Sequence, residues 1–293
     1  MLDEWEIPSD ELGIHTDNMI GSGEFGRIFT ATWRGIQVAV KEFHDLDDHK
    51  TRLMKNEFHV MTRLHHPNII QLLGYTTEPF RIVMEHMPGG DLKNYLRTCP
   101  RVSLRTRITM ALDIACGLCY LHRRKPSYVI HRDIKPNNFL LTKDLRVKIS
   151  DFGICKILQN LEAKRSQENM SRAQEIDGTA NVGTLFYMAP ELVLHRLERS
   201  TRYSAAIDIY SFGAVMYFMF ERETLYGWCE TREELTSCLL RHEYPDFTRS
   251  PSIIRDLILR CLDHRPSCRP TADEIVHELD SFLSSYPSYL WCF

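Results

Sequence analysis

Near the middle of this chain, His131-Arg132-Asp133-Ile134-Lys135-Pro136-Asn137-Asn138 is followed closely by Asp151-Phe152-Gly153. Asp133 is a candidate base and Lys135 a cation able to neutralise developing negative charge. Asn138 and Asp151 offer an amide oxygen and a carboxylate, the hard oxygen donors that Mg²⁺ prefers. Phosphoryl transfer calls for these groups, because there the protein mainly positions reactants and neutralises charge. The plain alternative for the same stretch is a polar loop with a helix-capping aspartate. The rest of the chain must decide between them by supplying, or not supplying, a nucleotide site.

Upstream, Gly21-Ser22-Gly23-Glu24-Phe25-Gly26 follows Ile20 and fits GxGxxG, a weak signal by itself. A dinucleotide-binding loop of this pattern opens a helix, but Arg27-Ile28-Phe29-Thr30-Ala31-Thr32-Trp33 has the alternation of a strand. The glycines therefore belong to a hairpin whose backbone amides can approach phosphates closely. Lys41 closes the apolar run Val38-Ala39-Val40. A lysine there usually snorkels to the surface, but behind a glycine loop it can reach the α- and β-phosphates. It then needs an anion to fix it, and Glu57, in the middle of a helical pattern, is the candidate.

The elements that must carry these groups fall into two parts. Apolar residues alternate from Ile20 to about Val40, and 50–65 has helical periodicity through Leu53, Phe58, Met61 and Leu64, stopped by His66-Pro67. Ile69 to Leu73 and Phe80 to Met84 read as strands. After Pro88-Gly89-Gly90 the pattern becomes helical over Ser103–His122, Ser204–Glu221, Arg232–His242, Pro251–Leu262 and Thr271–Ser284. A small β-rich part thus precedes a larger helical one, and 159–182 is polar. The chain of 293 residues, 43% hydrophobic, can bury such a core. A net charge of −3 gives no support to nucleic acid or anionic membrane as partners. Nine cysteines without framework spacing suit reduced thiols in the cytoplasm, with Cys116 and Cys119 read as helix-core thiols. No apolar run has the length of a membrane span, and the acidic start does not read as a signal peptide. Leu2 stands where N-myristoylation requires a glycine, so that anchor is not expected for the chain as it stands.

With these residues in place, the chain resembles a eukaryotic-type protein kinase catalytic domain over about 18–285, with 1–17 as an extension and 286–293 as a tail. The resemblance implies an α+β, bilobal protein kinase fold: an antiparallel β-rich N-lobe (about 18–86) with one main helix, and a mainly helical C-lobe (about 87–285). It implies ATP and Mg²⁺ as cofactors. The loop Ile20–Gly26 and Lys41 would hold phosphates, and Ile28, Ala39 and Leu140 would sandwich adenine. Met84 would be the gatekeeper, Glu85–Met87 the hinge bonding adenine through its backbone, and Asp91 a ribose contact. Asp133 would be the base, Lys135 would face the transferring phosphoryl, and Asn138 and Asp151 would hold the metal. Phe152, Met61, Leu72 and His131 would form a packed column, Glu191 would pair with Arg269, and Asp208 would brace the catalytic loop.

Lys135 after Asp133, with Thr184 in Gly183-Thr184-Leu185-Phe186-Tyr187-Met188-Ala189-Pro190-Glu191, resembles serine/threonine kinases in signalling. Trp5-Glu6-Ile7-Pro8, His66-Pro67-Asn68 and Arg265-Pro266-Ser267-Cys268-Arg269-Pro270-Thr271 resemble the tyrosine-kinase-like group. Expected partners are protein substrates bearing Ser or Thr. Arg132 implies control by a phosphate on Thr179, Ser171 or Ser166, added by an upstream kinase or by autophosphorylation. The alternatives are dual specificity toward Tyr and a pseudokinase scaffold; the latter normally lacks a residue matching Lys41, Asp133, Asn138 or Asp151.

Overall fold

The computed structural model describes residues 3–23, 26–43, 48–159, 182–194 and 204–285. Its N-terminal part is an antiparallel sheet of β1 (Leu12–Gly23), β2 (Gly26–Trp33), β3 (Ile36–Glu42), β4 (Leu72–Thr77) and β5 (Phe80–Glu85), in the order β1-β2-β3-β5-β4. The helix α1 (Asp48–Met61) comes between β3 and β4 in the chain. It packs Phe58 edge-on to Tyr75 at 4.9 Å. Alternation sets the faces of β3. Val38 and Val40 enter one small core, with Ala31 and Val83, while Ala39 and Lys41 lie on the other face, paired in register with Thr30 and Ile28.

The sheet begins earlier than residue 18, where the sequence reading opens the domain. Leu12 and Ile7 are buried, and Ile7 N donates to Tyr75 O at 2.8 Å. A Cβ at Gly74 would fall 2.6 Å from Ile7 and Trp5, so glycine is what lets this entering segment lie against β4. The strand expected over Ile69–Leu73 is also displaced: β4 starts at Leu72, while Ile69 bridges to Ile149 and Ile70 N donates to Ile149 O at 2.9 Å. Its apolar run pairs across to the other lobe instead of joining the sheet. The helix expected over 50–65 ends at Met61 and tightens into single turns, Arg63 N to Val60 O and Leu64 N to Met61 O.

The C-terminal part carries α2 (Leu92–Thr98), α3 (Leu104–Arg123), β6 (Ser127–Ile130), β7 (Phe139–Leu141), β8 (Val147–Ile149), β9 (Lys156–Gln159), α4 (Val182–Leu185), α5 (Pro190–Leu194), α6 (Ala206–Glu221), α7 (Arg232–Leu240), α8 (Ser252–Cys261) and α9 (Ala272–Ser285). The expected helices are present with ends shifted by up to two residues. α6 is buried all round from Ile207 to Glu221, which is why its sequence is apolar on every face. Local caps set the starts: Ser103 accepts from Thr106 N, and Thr271 and Glu274 cap each other reciprocally. Two short hairpin-like pairs, β6 with β9 and β7 with β8, frame the loops that hold the candidate chemistry. This is the bilobal α+β arrangement that the resemblance implied. Among the described residues no helix is long and apolar enough to cross a membrane.

Candidate active site

The segment after β6 is fixed from behind. Asp208, on the first turn of α6 and fully buried, accepts from His131 N and Arg132 N at 2.8 Å each and from His122 Nε2 at 2.8 Å. Burial alone would raise this carboxyl, but the bonds from His122 and the backbone outweigh it and hold it below the ordinary carboxylate range. Arg132 takes a left-handed backbone (φ 71°), which the two bonds to Asp208 stabilise. Downstream, Lys135 Nζ lies 2.7 Å from Asp133 Oδ2, and Asn138 Nδ2 donates to Asp133 O and Oδ2 at 2.8 Å each. Both side-chain bonds go to Oδ2, leaving Asp133 Oδ1 as the less encumbered oxygen.

The other half of the cluster joins the two lobes. Lys41 Nζ on β3 meets Glu57 Oε2 and Oε1 on α1 at 2.7 and 2.9 Å, and Asp151 Oδ1 at 3.3 Å. One ammonium thus serves two carboxylates. Burial acts to lower the lysine and is overcome by Asp151 and Glu57, so its pKa is raised. Burial raises Glu57, whereas Lys41, Lys135 and His131 outweigh burial at Asp151 and keep it low. The influence of Lys135 on Asp151 ties the Asp133 loop and the Lys41 cluster into one electrostatic site. His131 stacks edge-on to Phe152 at 5.1 Å, and Phe152, Met61 and Leu72 lie buried in the same core.

The glycines of the β1–β2 turn divide by cause. At Gly26 a Cβ would fall 2.1 Å from Glu42 O, so packing against β3 demands glycine. At Gly21 a Cβ would make only ordinary contact with Ile28, at 3.5 Å, so the protein's own packing does not. Glu24 and Phe25 lie outside the described residues, as do Thr179, Ser171 and Ser166. Ile20 and Ser22 are exposed on β1, and Gly23 pairs with Gly26 across the turn. In register, Ile28 pairs with Lys41 and Ala39 with Met84, so Ile28, Ala39 and Met84 share one face of the sheet with the lysine. Leu140 lies on β7 and bridges to Asp91.

The chain is also similar to known proteins. A model of the protein kinase domain matches residues 14–279. Serine/threonine-protein kinase VIK of Arabidopsis thaliana is 34% identical over 97% of this chain and 64% of that protein. Serine/threonine-protein kinase 12 of the same plant is 34% identical over 96% of the chain and 58% of its own length. Dual specificity protein kinase shkC of Dictyostelium discoideum is 32% identical over 95% and 53%. The chain belongs to the protein kinase family. It spans between half and two thirds of the length of these relatives.

Several kinase positions carry more than the sequence suggested. Glu85, expected in the hinge, uses its side chain between lobes: Oε1 accepts from Lys148 Nζ at 2.6 Å and from Gln71 N at 2.7 Å. Any bond to adenine there would come from backbone. Asp91, expected at the ribose, caps α2 by accepting from Asn94 N and Nδ2 at 2.9 and 2.7 Å. Met84 and Met87 are buried. Arg269 pairs with Glu191 at 2.7 and 2.8 Å. Asp133, Thr184, Tyr187, Met188, Leu192 and Ile207 line one shallow cleft. A roomier apolar depression of about 480 Å³ around His66, Cys116, Cys119 and Val276 shares no residue with the site. Two residues were missed by sequence reasoning. Lys156 lies near enough to Arg132 for the guanidinium, after burial, to lower its pKa. Asn56 bonds the backbone beyond Asp151.

Proposed function

We propose that this chain transfers the γ-phosphoryl group of ATP, with Mg²⁺, to serine and threonine hydroxyls of protein substrates in cytoplasmic signalling. The observation that carries the reading is Lys41 bonded at once to Glu57 and Asp151. That arrangement aligns both lobes and leaves one more negative charge than positive, an environment suited to a divalent cation. The donors fit Mg²⁺. Asn138 Nδ2 is taken up by Asp133, leaving the amide oxygen, and Asp151 keeps a second carboxylate oxygen besides the one held by Lys41. Bound there, the ion would neutralise charge on the phosphate oxygens.

The chain's own groups supply the rest. Lys41 holds the α- and β-phosphates, with Glu57 fixing its position. Backbone amides of the Gly21–Gly26 turn approach the phosphates where Gly21 leaves room. Ile28, Ala39 and Leu140 enclose adenine. Asp133 Oδ1 orients the acceptor hydroxyl and takes its proton, while Oδ2 stays bonded to Lys135 and Asn138. Lys135 adds positive charge beside the transferring group. The hydroxyl approaches Asp133 beside Thr184, and the presence of Lys135 after Asp133 together with Thr184, as in serine/threonine kinases, supports Ser and Thr as acceptors.

Arg132 is the cation suited to a phosphate on Thr179, Ser171 or Ser166, added by an upstream kinase or by autophosphorylation. The test is labelled ATP and Mg²⁺ with a generic protein substrate and identification of the phosphoamino acid. The wild type should label Ser and Thr. Asp133→Asn should lose roughly 10²–10⁴-fold in rate. Full activity in that variant overturns the mechanism, phosphotyrosine would make the enzyme dual-specific, and nucleotide binding without transfer would favour a scaffold.

A further inference from the structure

Asn56 precedes Glu57 on α1, and its side-chain amide is committed to the segment that carries Asp151. Nδ2 lies 3.4, 3.0 and 3.2 Å from the carbonyl oxygens of Phe152, Gly153 and Cys155. Cys155 N donates to Phe152 O at 3.2 Å, closing the turn whose carbonyls converge on Asn56. The amide orientation is fixed by chemistry, since the reverse would set its oxygen against three carbonyl oxygens. Asp151, just before this turn, has φ 64°, a left-handed backbone that persists where the surroundings hold it.

Two neighbouring side chains of one helix therefore grip the two ends of one short segment. Glu57 holds Asp151 through Lys41, and Asn56 holds the turn that follows. We propose that Asn56 is a positioning residue: it couples the placement of α1 to the backbone conformation that presents Asp151. Without its donor, α1 could keep the Lys41–Glu57 pair while the turn relaxes and Asp151 loses its aim. An asparagine in mid-helix is otherwise a poor choice, because it competes for backbone bonds. Here it satisfies backbone carbonyls of another segment.

The consequence for rate rests on the kinase reading, but the consequence for the turn does not. The experiment compares the full chain with Asn56→Asp (same shape, no donor), Asn56→Leu, and Lys55→Ala, an exposed neighbour on α1. Amide hydrogen exchange without nucleotide reads the turn; steady-state kinetics read the reaction. Both Asn56 variants should accelerate exchange over 152–155 by about tenfold, with α6 unchanged, as expected when a bond or two of ordinary strength is lost locally. They should lower kcat by about tenfold and weaken the Mg²⁺ dependence of ADP affinity, with KM for a protein substrate within about twofold. Lys55→Ala should match the wild type. Unchanged exchange at 152–155, or acceleration spread equally into α6, overturns the proposal. A wild type that transfers no phosphate overturns the kinase reading alone, and the exchange comparison still decides the role of Asn56.

Discussion

Lys41 meets Glu57 at 2.7 Å and Arg269 meets Glu191 at 2.7 Å, both largely withdrawn from solvent. The difference lies in what surrounds each pair. Arg269 has one carboxylate for one positive charge, and its remaining donors reach Asp263 O, Ala206 O and His264 O, with the guanidinium over Tyr210 at 5.1 Å. All five N–H groups are used. Lys41 instead faces two carboxylates, and the side chain of Asp151 is about a third exposed, at 31%. A saturated pair has no further business with a ligand. A pair short of positive charge, opening toward solvent, is where a cation or a phosphate-bearing substrate is worth seeking.

The comparison breaks if both pairs respond alike to losing the cation. Arg269→Leu should cost the most stability, about 3–5 kcal/mol, because Glu191 and three carbonyls lose their partner inside the protein. That is a large share of the total for a domain. Chemical denaturation measures it, and the fraction still folded should bind nucleotide with wild-type affinity. Impaired binding in that folded fraction would place the pair in the site after all.

Lys41→Met should act mainly on rate, lowering kcat/KM by roughly 10²–10³-fold, the usual cost of deleting one preorganised charge contact. Its stability loss should be smaller than that of Arg269→Leu, because Glu57 can take up a proton. The sign follows from the direction of the shift. Glu57 is already raised above 4.5 with Lys41 present and should rise further without it. A carboxyl raised on folding favours the folded state at low pH and loses that contribution as pH increases through its folded value. The variant should therefore lose stability relative to wild type as pH rises above about 4.5. A difference in melting temperature that ignores pH would show that Glu57 stays charged.

What the sequence made legible follows the same division. Asp133, Lys135, Asn138 and Asp151 sit in short motifs, so residue types and spacing located them, and the pairs Lys41–Glu57 and Glu191–Arg269 stand where the motifs put them. Asn56 was hidden because its acceptors are main-chain carbonyls, which leave no trace in residue type. The early start of β1 was hidden because its middle, with exposed His15, Asp17 and Asn18, is polar and Met19 and Ile20 are adjacent apolar residues, so the apolar alternation that marks a strand is weak there. The Ile69 bridge was misplaced because a short apolar run does not say which lobe it pairs with. Asp91 shows a third limit: a carboxylate before a helix can cap it and serve a ligand, and the sequence offers both readings at once.

Asp208 sharpens the comparison with the smallest effect, since it is a buried carboxylate held mainly by backbone amides and a histidine rather than by Lys or Arg. Its folded pKa lies below the 3.8 of the free group. A depressed carboxyl contributes stability that is full above the unfolded pKa and disappears as pH falls through the folded one. Asp208→Asn keeps one acceptor oxygen but turns an N–H₂ toward a cluster of donors. It should cost about 1–3 kcal/mol near neutral pH, the range for leaving buried donors unsatisfied. Melting temperatures of wild type and variant should stay a constant distance apart above about pH 5 and converge as pH falls below the 3.8 of the unfolded group. Convergence would assign the brace to the carboxylate charge. A gap that persists undiminished into strong acid would mean that shape, not charge, holds His131 and Arg132 in place, and that a loop can be braced without the ionic chemistry that Lys41 requires.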